Sequence, residues 1–168
     1  MRETLYRMSG ADLTALEGVD ENTALVILGE VGPDVSRFPS AKHFTSWLGL
    51  CPQHRGSAGK IRSRGVRRGA NRAAWALRMA AQGCHHAKNA VGAFYRRIQA
   101  RSGAPKAIVA TARKLAERVY RLLRYGEAYV RQDVEAYEAA YRTRVVKGLV
   151  RRAGQLGYRL EPLAAPDS

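Results

Sequence analysis

One apolar stripe constrains the fold of this 168-residue chain more than any other feature. Apolar residues recur at alternating four- and three-residue steps, the spacing of one face of an α-helix: Ile108, Ala112, Leu115, Val119 and Leu122. The charged residues between them fall on the predicted solvated face: Arg113, Lys114, Glu117, Arg118 and Arg121. No stretch alternates apolar and polar residues long enough to indicate a strand. The sequence therefore predicts an all-α fold.

The other helix signals divide the chain into three parts. A helix-hairpin-helix-like N-terminal part, about 11–31, holds helices at 11–17 and 22–30, and a further helix at 41–48 follows a Ser40 cap. A Gly- and Arg-rich loop occupies about 49–70. A bundle of longer helices follows at 72–81 (with an Asn71 cap), 90–101, 106–124 and 127–146. The helix at 72–81 is Ala-rich and apolar on most faces, so we expect it to be buried. We expect one domain over 1–147 and a frayed, basic then Pro-containing tail over 148–168.

The charge of the chain points to a polyanionic partner. Lys and Arg number 29 and Asp and Glu number 14, which gives a formal net charge of +15. All of the acids lie within 3–34 or 117–167, so residues 35–116 hold 17 Lys and Arg and no acid. Such a surface attracts nucleic-acid phosphates and releases their counterions on binding. Composition therefore favours nucleic-acid binding over a merely solvated basic face.

The same composition argues against export and membrane insertion. No apolar run approaches bilayer length, and the first residues lack the apolar stretch of a signal peptide. Cys51 and Cys84 are then expected to be free thiols in a reducing compartment. We expect a cytoplasmic protein with no membrane partner.

Residues 16–24 have the form of a helix-hairpin-helix turn. In such a turn a Gly-rich bend, here Gly18 and Val19, presents backbone N–H groups that hold a phosphate without reading sequence. Asp20 stands where a second glycine is usual, and Glu17 and Glu21 flank the bend. An ordinary helix turn explains this segment about as well.

The Gly- and Arg-rich loop holds the candidate chemistry. Gly56, Ala58 and Gly59 are small, so they leave the Ser57 hydroxyl open to a bulky group such as a backbone phosphate. The candidate nucleic-acid contacts around it could balance charge on phosphoryl oxygens: Arg55, Gly59, Lys60, Arg62, Arg64, Arg67, Arg68 and Arg72. On these features alone Ser57 is more readily explained as a turn residue, and Ser63 is a second hydroxyl in the same loop.

Short blocks of sequence, spread over about two thirds of the chain, follow one another in the same order as the motifs of a known protein family. They are Gly18-Val19 with Thr23-Ala24, Arg37-Phe38-Pro39-Ser40-Ala41, Leu48-Gly49-Leu50-Cys51-Pro52, Ser57-Ala58-Gly59-Lys60, Gly65-Val66-Arg67-Arg68-Gly69-Ala70-Asn71-Arg72, Ala112-Arg113-Lys114-Leu115-Ala116, and Leu122-Leu123-Arg124-Tyr125-Gly126-Glu127-Ala128-Tyr129. In these blocks the chain resembles the C-terminal domain of the bridge-RNA-guided insertion-sequence transposases, the IS-one-ten family with its IS-eleven-eleven branch and IS-one-sixteen-type members.

The resemblance implies a DNA recombinase that cuts and joins strands. In that family a serine in the loop after the Gly-Leu-x-Pro block is the nucleophile, and by position this serine is Ser57. The implied partners are DNA and a guide (bridge) RNA. Two residues depart from the family pattern: Ala58 stands where glycine is typical, and Asp20 replaces the second glycine of the hairpin.

Members of the family also carry an N-terminal RNase-H-like domain whose acidic residues bind a divalent metal. This chain starts just before the hairpin, and the acid-free residues 35–116 offer no carboxylates for such a site. We therefore expect no cofactor in this chain, with Mg²⁺ held only by the absent N-terminal domain. We also expect self-association or a separately encoded N-terminal domain as a partner, and an incomplete enzyme when the chain is alone.

Two other functions stay open on the sequence. The chain could be a non-catalytic helix-hairpin-helix module in which Ser57 only contacts phosphate. It could also be a scaffold that dimerises through the helices at 106–124 and 127–146. Arg96, Arg97 and Arg101 are read as an outward face that contacts phosphate or water.

Zinc and tyrosine-recombinase chemistry fit the sequence less well. Cys84-His85-His86, with Cys51 and His54 elsewhere, lacks the repeated short ligand spacing of a zinc site, so no metal ligand is predicted. Cys84 is read as a small buried residue. Three tyrosines stand at helical spacing, which packing explains better than catalysis: Tyr129, Tyr137 and Tyr141.

Overall fold

The structure is a computed structural model that describes the backbone of residues 1–51, 55–57, 60–63 and 71–162, and side chains for 1–51, 71–128 and 135–162. Within these ranges the helices are α1 (Arg2–Ser9), α2 (Glu21–Val31), α3 (Ala41–Trp47), α4 (Arg72–Gly83), α5 (Ala90–Ser102), α6 (Ala104–Tyr125) and α7 (Glu127–Gln155). Two short strands, β1 (Arg55–Ser57) and β2 (Lys60–Ser63), form an antiparallel hairpin inside the predicted loop. Apart from this hairpin, the predicted all-α fold is confirmed.

The chain divides into two compact units, Met1–Gln132 and Asp133–Ser168. In the first unit α6 is the central helix, and it packs against α3, α4 and α5, while α2 packs against α4. Ala112, Leu115, Val119 and Leu122 are buried as the stripe predicts, and Ile108 is half-buried. The stripe of α6 is thus covered within the chain, so it gives no support to dimerisation through this helix.

Arg118 corrects the prediction for the solvated face of α6. It is only 3% exposed, and its guanidinium lies 3.4 Å from the Glu17 carboxylate. The spacing of apolar and charged residues placed Arg118 on the solvated face because it reflects polarity alone, whereas an arginine that meets a carboxylate from another element can be buried.

Side-chain caps begin α4 and α3 as the sequence predicts. Asn71 accepts a hydrogen bond from the Ala74 amide at 3.0 Å, and Ser40 accepts one from the His43 amide. Asn89 caps α5 in the same way. Pro105 stands in the first turn of α6, and Gly126 ends that helix with φ of 83°.

The beginning of the chain differs from the prediction of a helix at 11–17. An α-helix, α1, instead precedes it and ends at Gly10, and only a 3-10 turn, Leu13–Ala15, follows. Asp12 starts this turn by accepting from the Thr14 amide, and the Asp12 amide donates to the Glu127 carboxylate at 3.0 Å. Side-chain acceptors close to the backbone compete with longer helices, and here they shorten the predicted one.

The second unit consists of helical residues followed by an irregular end. Helix α7 continues through Gln155, beyond the predicted end near residue 146. The Tyr158 amide then donates to the Ala153 carbonyl at 2.8 Å, which closes the helix end. No helix in the described part of the chain has the length and apolar character needed to cross a membrane.

Candidate nucleic-acid interface

The β1–β2 hairpin places Ser57 opposite a basic residue. In the backbone register Ser57 pairs with Lys60 and Gly56 pairs with Ile61. Arg55 pairs with Ser63 at the other end of the hairpin, after an irregularity between Arg55 and Gly56. The two candidate serines of the loop therefore lie at opposite ends of one hairpin, and each is paired with a basic residue in the backbone register.

The remaining predicted contacts are divided between described and undescribed residues. Arg72 is exposed at the first position of α4, next to the Asn71 cap. Arg62 belongs to β2. Gly59, Arg64, Arg67 and Arg68 lie outside the described residues, as does His54.

An aromatic cluster anchors the segment that leads into the hairpin. The Phe38 ring lies 5.2 Å from that of Phe44, and the Tyr120 hydroxyl donates to the Phe38 carbonyl at 2.9 Å. The Arg37 guanidinium lies over Phe38 and Trp47, at 4.8 and 5.1 Å from the ring centroids. It also donates to the Val31 carbonyl. The Arg37-Phe38 block thus ties α2 and α3 to α6 rather than offering a free cation.

Polar groups of the Gly18–Val19 turn and of the adjacent Asp20 form hydrogen bonds within the protein. The Val19 amide donates to the Leu16 carbonyl at 3.0 Å, and the Val19 side chain is buried. Asp20 caps α2, and hydrogen bonds from the Thr23 side chain and amide lower the pKa of Asp20. The Val19 amide therefore closes the turn onto Leu16, the Asp20 carboxylate caps α2, and phosphate binding by this turn stays a prediction.

Gly18 allows the turn to approach α4 closely. Its φ is +80°, and a Cβ built on it would lie 2.7 Å from the Cys84 Sγ. Cys84 is buried, as predicted for a small apolar residue. Burial and the nearby Glu17 raise the pKa of the Cys84 thiol, which therefore remains protonated at neutral pH.

Gly18→Ala should destabilise the chain more than Gly10→Ala. Gly10 also has a positive φ, +69°, but a Cβ built on it would meet nothing within 4 Å. The Gly10→Ala variant therefore measures the cost of the left-handed backbone conformation alone. We expect about 1 kcal/mol for Gly10→Ala and about 1–2 kcal/mol more for Gly18→Ala, measured by urea unfolding. Adding Cys84→Ala should remove the extra loss in a double-mutant cycle, and strict additivity would contradict the contact.

The basic residues of α5 do not share one role. Arg97 and Arg101 are exposed, as predicted for an outward face. Arg96 is also exposed, but its guanidinium donates to the carbonyls of His85 and Ala87 at 2.8 Å each. Arg96 therefore fixes the end of the 3-10 turn Cys84–His86.

Helix α4 carries an exposed tryptophan, Trp75, that the sequence pattern did not predict. That helix was expected to be buried on most faces, and six of its residues are: Ala73, Ala74, Ala76, Leu77, Ala80 and Ala81. Trp75 and Met79 are nevertheless 63% and 49% exposed. The spacing of 72, 75, 79 and 82 could have revealed this solvent stripe, because these positions lie opposite the alanines.

In the described part of the chain no three His, Cys, Asp or Glu side chains are placed to hold a metal ion. The divalent metal that the resemblance implies thus finds no fitting ligand set among these residues.

Known proteins match both the N-terminal part and most of the chain. The Transposase IS116/IS110/IS902 family matches residues 10–96. The Streptomyces coelicolor (strain ATCC BAA-471 / A3(2) / M145) protein described as "Insertion element IS110 uncharacterized 43.6 kDa protein" is 34% identical over 119 residues, 70% of this chain. The chain spans 29% of that relative's length. No solved structure matches significantly. The family match covers the turn at Gly18, the serine hairpin and α4, and the chain belongs to the IS116/IS110/IS902 family of transposases.

Proposed function

We propose that this chain binds DNA through its acid-free segment and supplies Ser57 as the nucleophile that cuts and rejoins a strand. The observation that carries the proposal is the register of the hairpin, in which Ser57 is paired with Lys60. Residues 35–116 hold 17 Lys and Arg and no acid, so a phosphate approaching Ser57 meets no carboxylate from this segment. Membership in a transposase family supports DNA as the partner.

The proposed step exchanges one phosphodiester bond for another. The Ser57 oxygen attacks the phosphorus of a DNA strand, a new O–P bond forms, and the bond to the leaving strand oxygen breaks. The Ser57 hydroxyl loses its proton, and the oxygen of the leaving strand takes up a proton. The released strand therefore ends in a free hydroxyl. Attack by a strand hydroxyl on the phosphoserine reverses the exchange, so no nucleotide cofactor is consumed. Basic residues near the hairpin stabilise the charge on the phosphoryl oxygens.

This chain carries out only part of a transposition reaction. The matched relative is a longer protein, of which the chain spans 29%. Metal binding, guide-RNA binding and complete strand exchange are proposed to require an RNase-H-like domain and a guide RNA supplied in addition.

DNA affinity should fall steeply with salt. If five basic side chains neutralise duplex phosphates, log affinity falls against log salt with a slope of about −4.5. Fluorescence anisotropy of a labelled duplex at several salt concentrations measures this slope. A slope near zero would contradict the proposal that the chain binds nucleic acid.

Two matched charge variants test where DNA binds. Replacing Arg62, Arg64 and Arg67 together by glutamine should reduce the magnitude of the slope by about 2.7. The control replaces the exposed residues Arg142, Lys147 and Arg151 of α7, which lowers the net charge from +15 to +12 in the same way. Equal effects of the two variants would show that net charge governs binding, and not the Gly- and Arg-rich loop that holds Ser57.

The covalent step is tested by trapping. Denaturing a mixture of the chain, DNA and the added components should leave a protein–DNA adduct that Ser57→Ala abolishes. Salt-sensitive binding without an adduct in any mixture would leave a non-catalytic DNA-binding module.

A further inference from the structure

Helix α4 presents a solvent-facing stripe directly after the Gly- and Arg-rich loop that holds Ser57. Arg72, Trp75, Met79 and Gln82 are all exposed and follow one another at three-, four- and three-residue steps. The opposite face of α4 is packed against α2 and α6. Trp75 therefore lies on the free side of a rigid helix, in its first turn, where the helix dipole and Arg72 add positive charge.

The two tryptophans of the chain have different surroundings. Trp47 packs against Phe38, with ring centroids 5.3 Å apart, and carries Arg37 over its ring. Trp75 is 63% exposed, and no aromatic ring or cation of the described residues is in contact with its indole. Trp75 and Met79 are neighbours on α4 at a spacing of four residues, and both are exposed, so they form a small contiguous apolar patch. A contiguous apolar patch among basic residues indicates a contact surface.

We propose that Trp75 is a stacking platform for an unpaired DNA base, with Arg72 contacting a neighbouring phosphate. The inference rests on the proposed function, because cleavage of a DNA strand by Ser57 produces strand ends that can separate from the duplex. Base–indole stacking suits single strands, whereas a base inside a duplex already stacks on its neighbours. The acid-free segment around α4 supplies the charge that a nucleic acid requires.

The size and charge of the stripe favour a base over a protein partner. A tryptophan buries about 150–250 Å² on contact. A specific protein interface buries about 800 Å² on each partner. The exposed apolar part of the stripe consists of Trp75 and Met79, with Arg72 before them. A second copy of this chain would also bring the same positive charge against it.

The test uses the intrinsic fluorescence of the full chain. In Trp47→Phe, Trp75 is the single tryptophan, and in Trp75→Leu, Trp47 is the single one. Titration with short oligothymidylate should quench Trp47→Phe strongly and Trp75→Leu little. Affinity for the oligothymidylate, measured by anisotropy, should fall roughly 5- to 150-fold in Trp75→Leu, the value of one stacked base. Trp75→Phe should recover most of that loss, and blunt duplex affinity should change less than about twofold.

Several results would overturn the inference. Equal quenching of the two variants, an equal affinity loss for duplex, or quenching by oligouridylate and not by oligothymidylate would each contradict a DNA-base platform. A fall in oligomer mass of Trp75→Leu in light scattering would show a protein interface instead. Unchanged urea midpoints of the variants verify folding.

The same experiment separates this inference from the proposed function. Ser57→Ala should keep the full quenching of Trp75. Quenching without any covalent adduct would leave the platform intact and refute the nucleophile. An adduct that forms equally in wild type and Trp75→Leu, with no quenching, would refute the platform alone.

Discussion

Gly92→Ala is expected to destabilise the chain by about 3 kcal/mol or more, a large share of the stability of a domain of this size. Gly92 lies in the first turn of α5, where its amide donates to the Asn89 cap at 2.9 Å. A Cβ at this position would lie 2.0 Å from the Ala87 carbonyl oxygen and 2.9 Å from that of Cys84. Backbone atoms cannot rotate away as a side chain can, so α5 must move.

Gly83→Ala is the matched control for this prediction. Gly83 has helical torsions, φ −60° and ψ −30°, and a Cβ there would meet nothing within 4 Å. Alanine should therefore stabilise the chain by about 0.5–1 kcal/mol at this position. Urea unfolding followed by far-ultraviolet circular dichroism measures both variants. A Gly92→Ala midpoint at or above that of wild type would contradict the close packing of α5 on the turn before it.

Ser57→Ala should abolish covalent capture of DNA while leaving affinity within about twofold of wild type. Alanine removes the oxygen that forms the bond to phosphorus but leaves every basic side chain in place. The assay combines the purified chain with nicked DNA, guide RNA and a separately supplied RNase-H-like domain, each also omitted in turn. Protein–DNA adducts are then counted after denaturation.

Ser63→Ala is the control for the second hydroxyl. Ser63 is paired with Arg55 at the far end of the same hairpin, so its replacement changes a comparable residue in the same segment. It should leave adduct yield unchanged. A tenfold loss of affinity in Ser57→Ala, with no adduct in wild type, would assign Ser57 to binding.

The fold could largely be predicted because local rules determine most of its elements. Ser40 and Asn71 mark helix starts, Gly126 marks an end, and the apolar steps along α6 identify its buried face. The prediction was wrong where tertiary contacts override local pattern. Arg118 is buried because Glu17, about a hundred residues earlier, lies beside it.

The sequence predicted which segment holds the candidate site, but it did not predict which residues are paired there. The small residues around Ser57 and the surplus of basic residues pointed to this segment. The pairing of Ser57 with Lys60 depends on a hairpin, and no alternation of polar and apolar residues predicted its strands. The exposure of Trp75 was not predicted, because an Ala-rich helix that is apolar on most faces was expected to be buried. Its exposed side becomes visible only once α2 and α6 occupy the other faces.

The position of the covalent bond tests the proposed function most directly. Trypsin separates the two candidate hydroxyls, because cleavage after Arg55 and Lys60 releases residues 56–60 with Ser57, and cleavage after Arg62 and Arg64 releases residues 63–64 with Ser63. Nuclease and trypsin treatment of a trapped adduct, followed by mass spectrometry, should place the nucleotide remnant on the peptide 56–60. A remnant on 63–64, or on any other peptide, would contradict the assignment of Ser57 as the nucleophile.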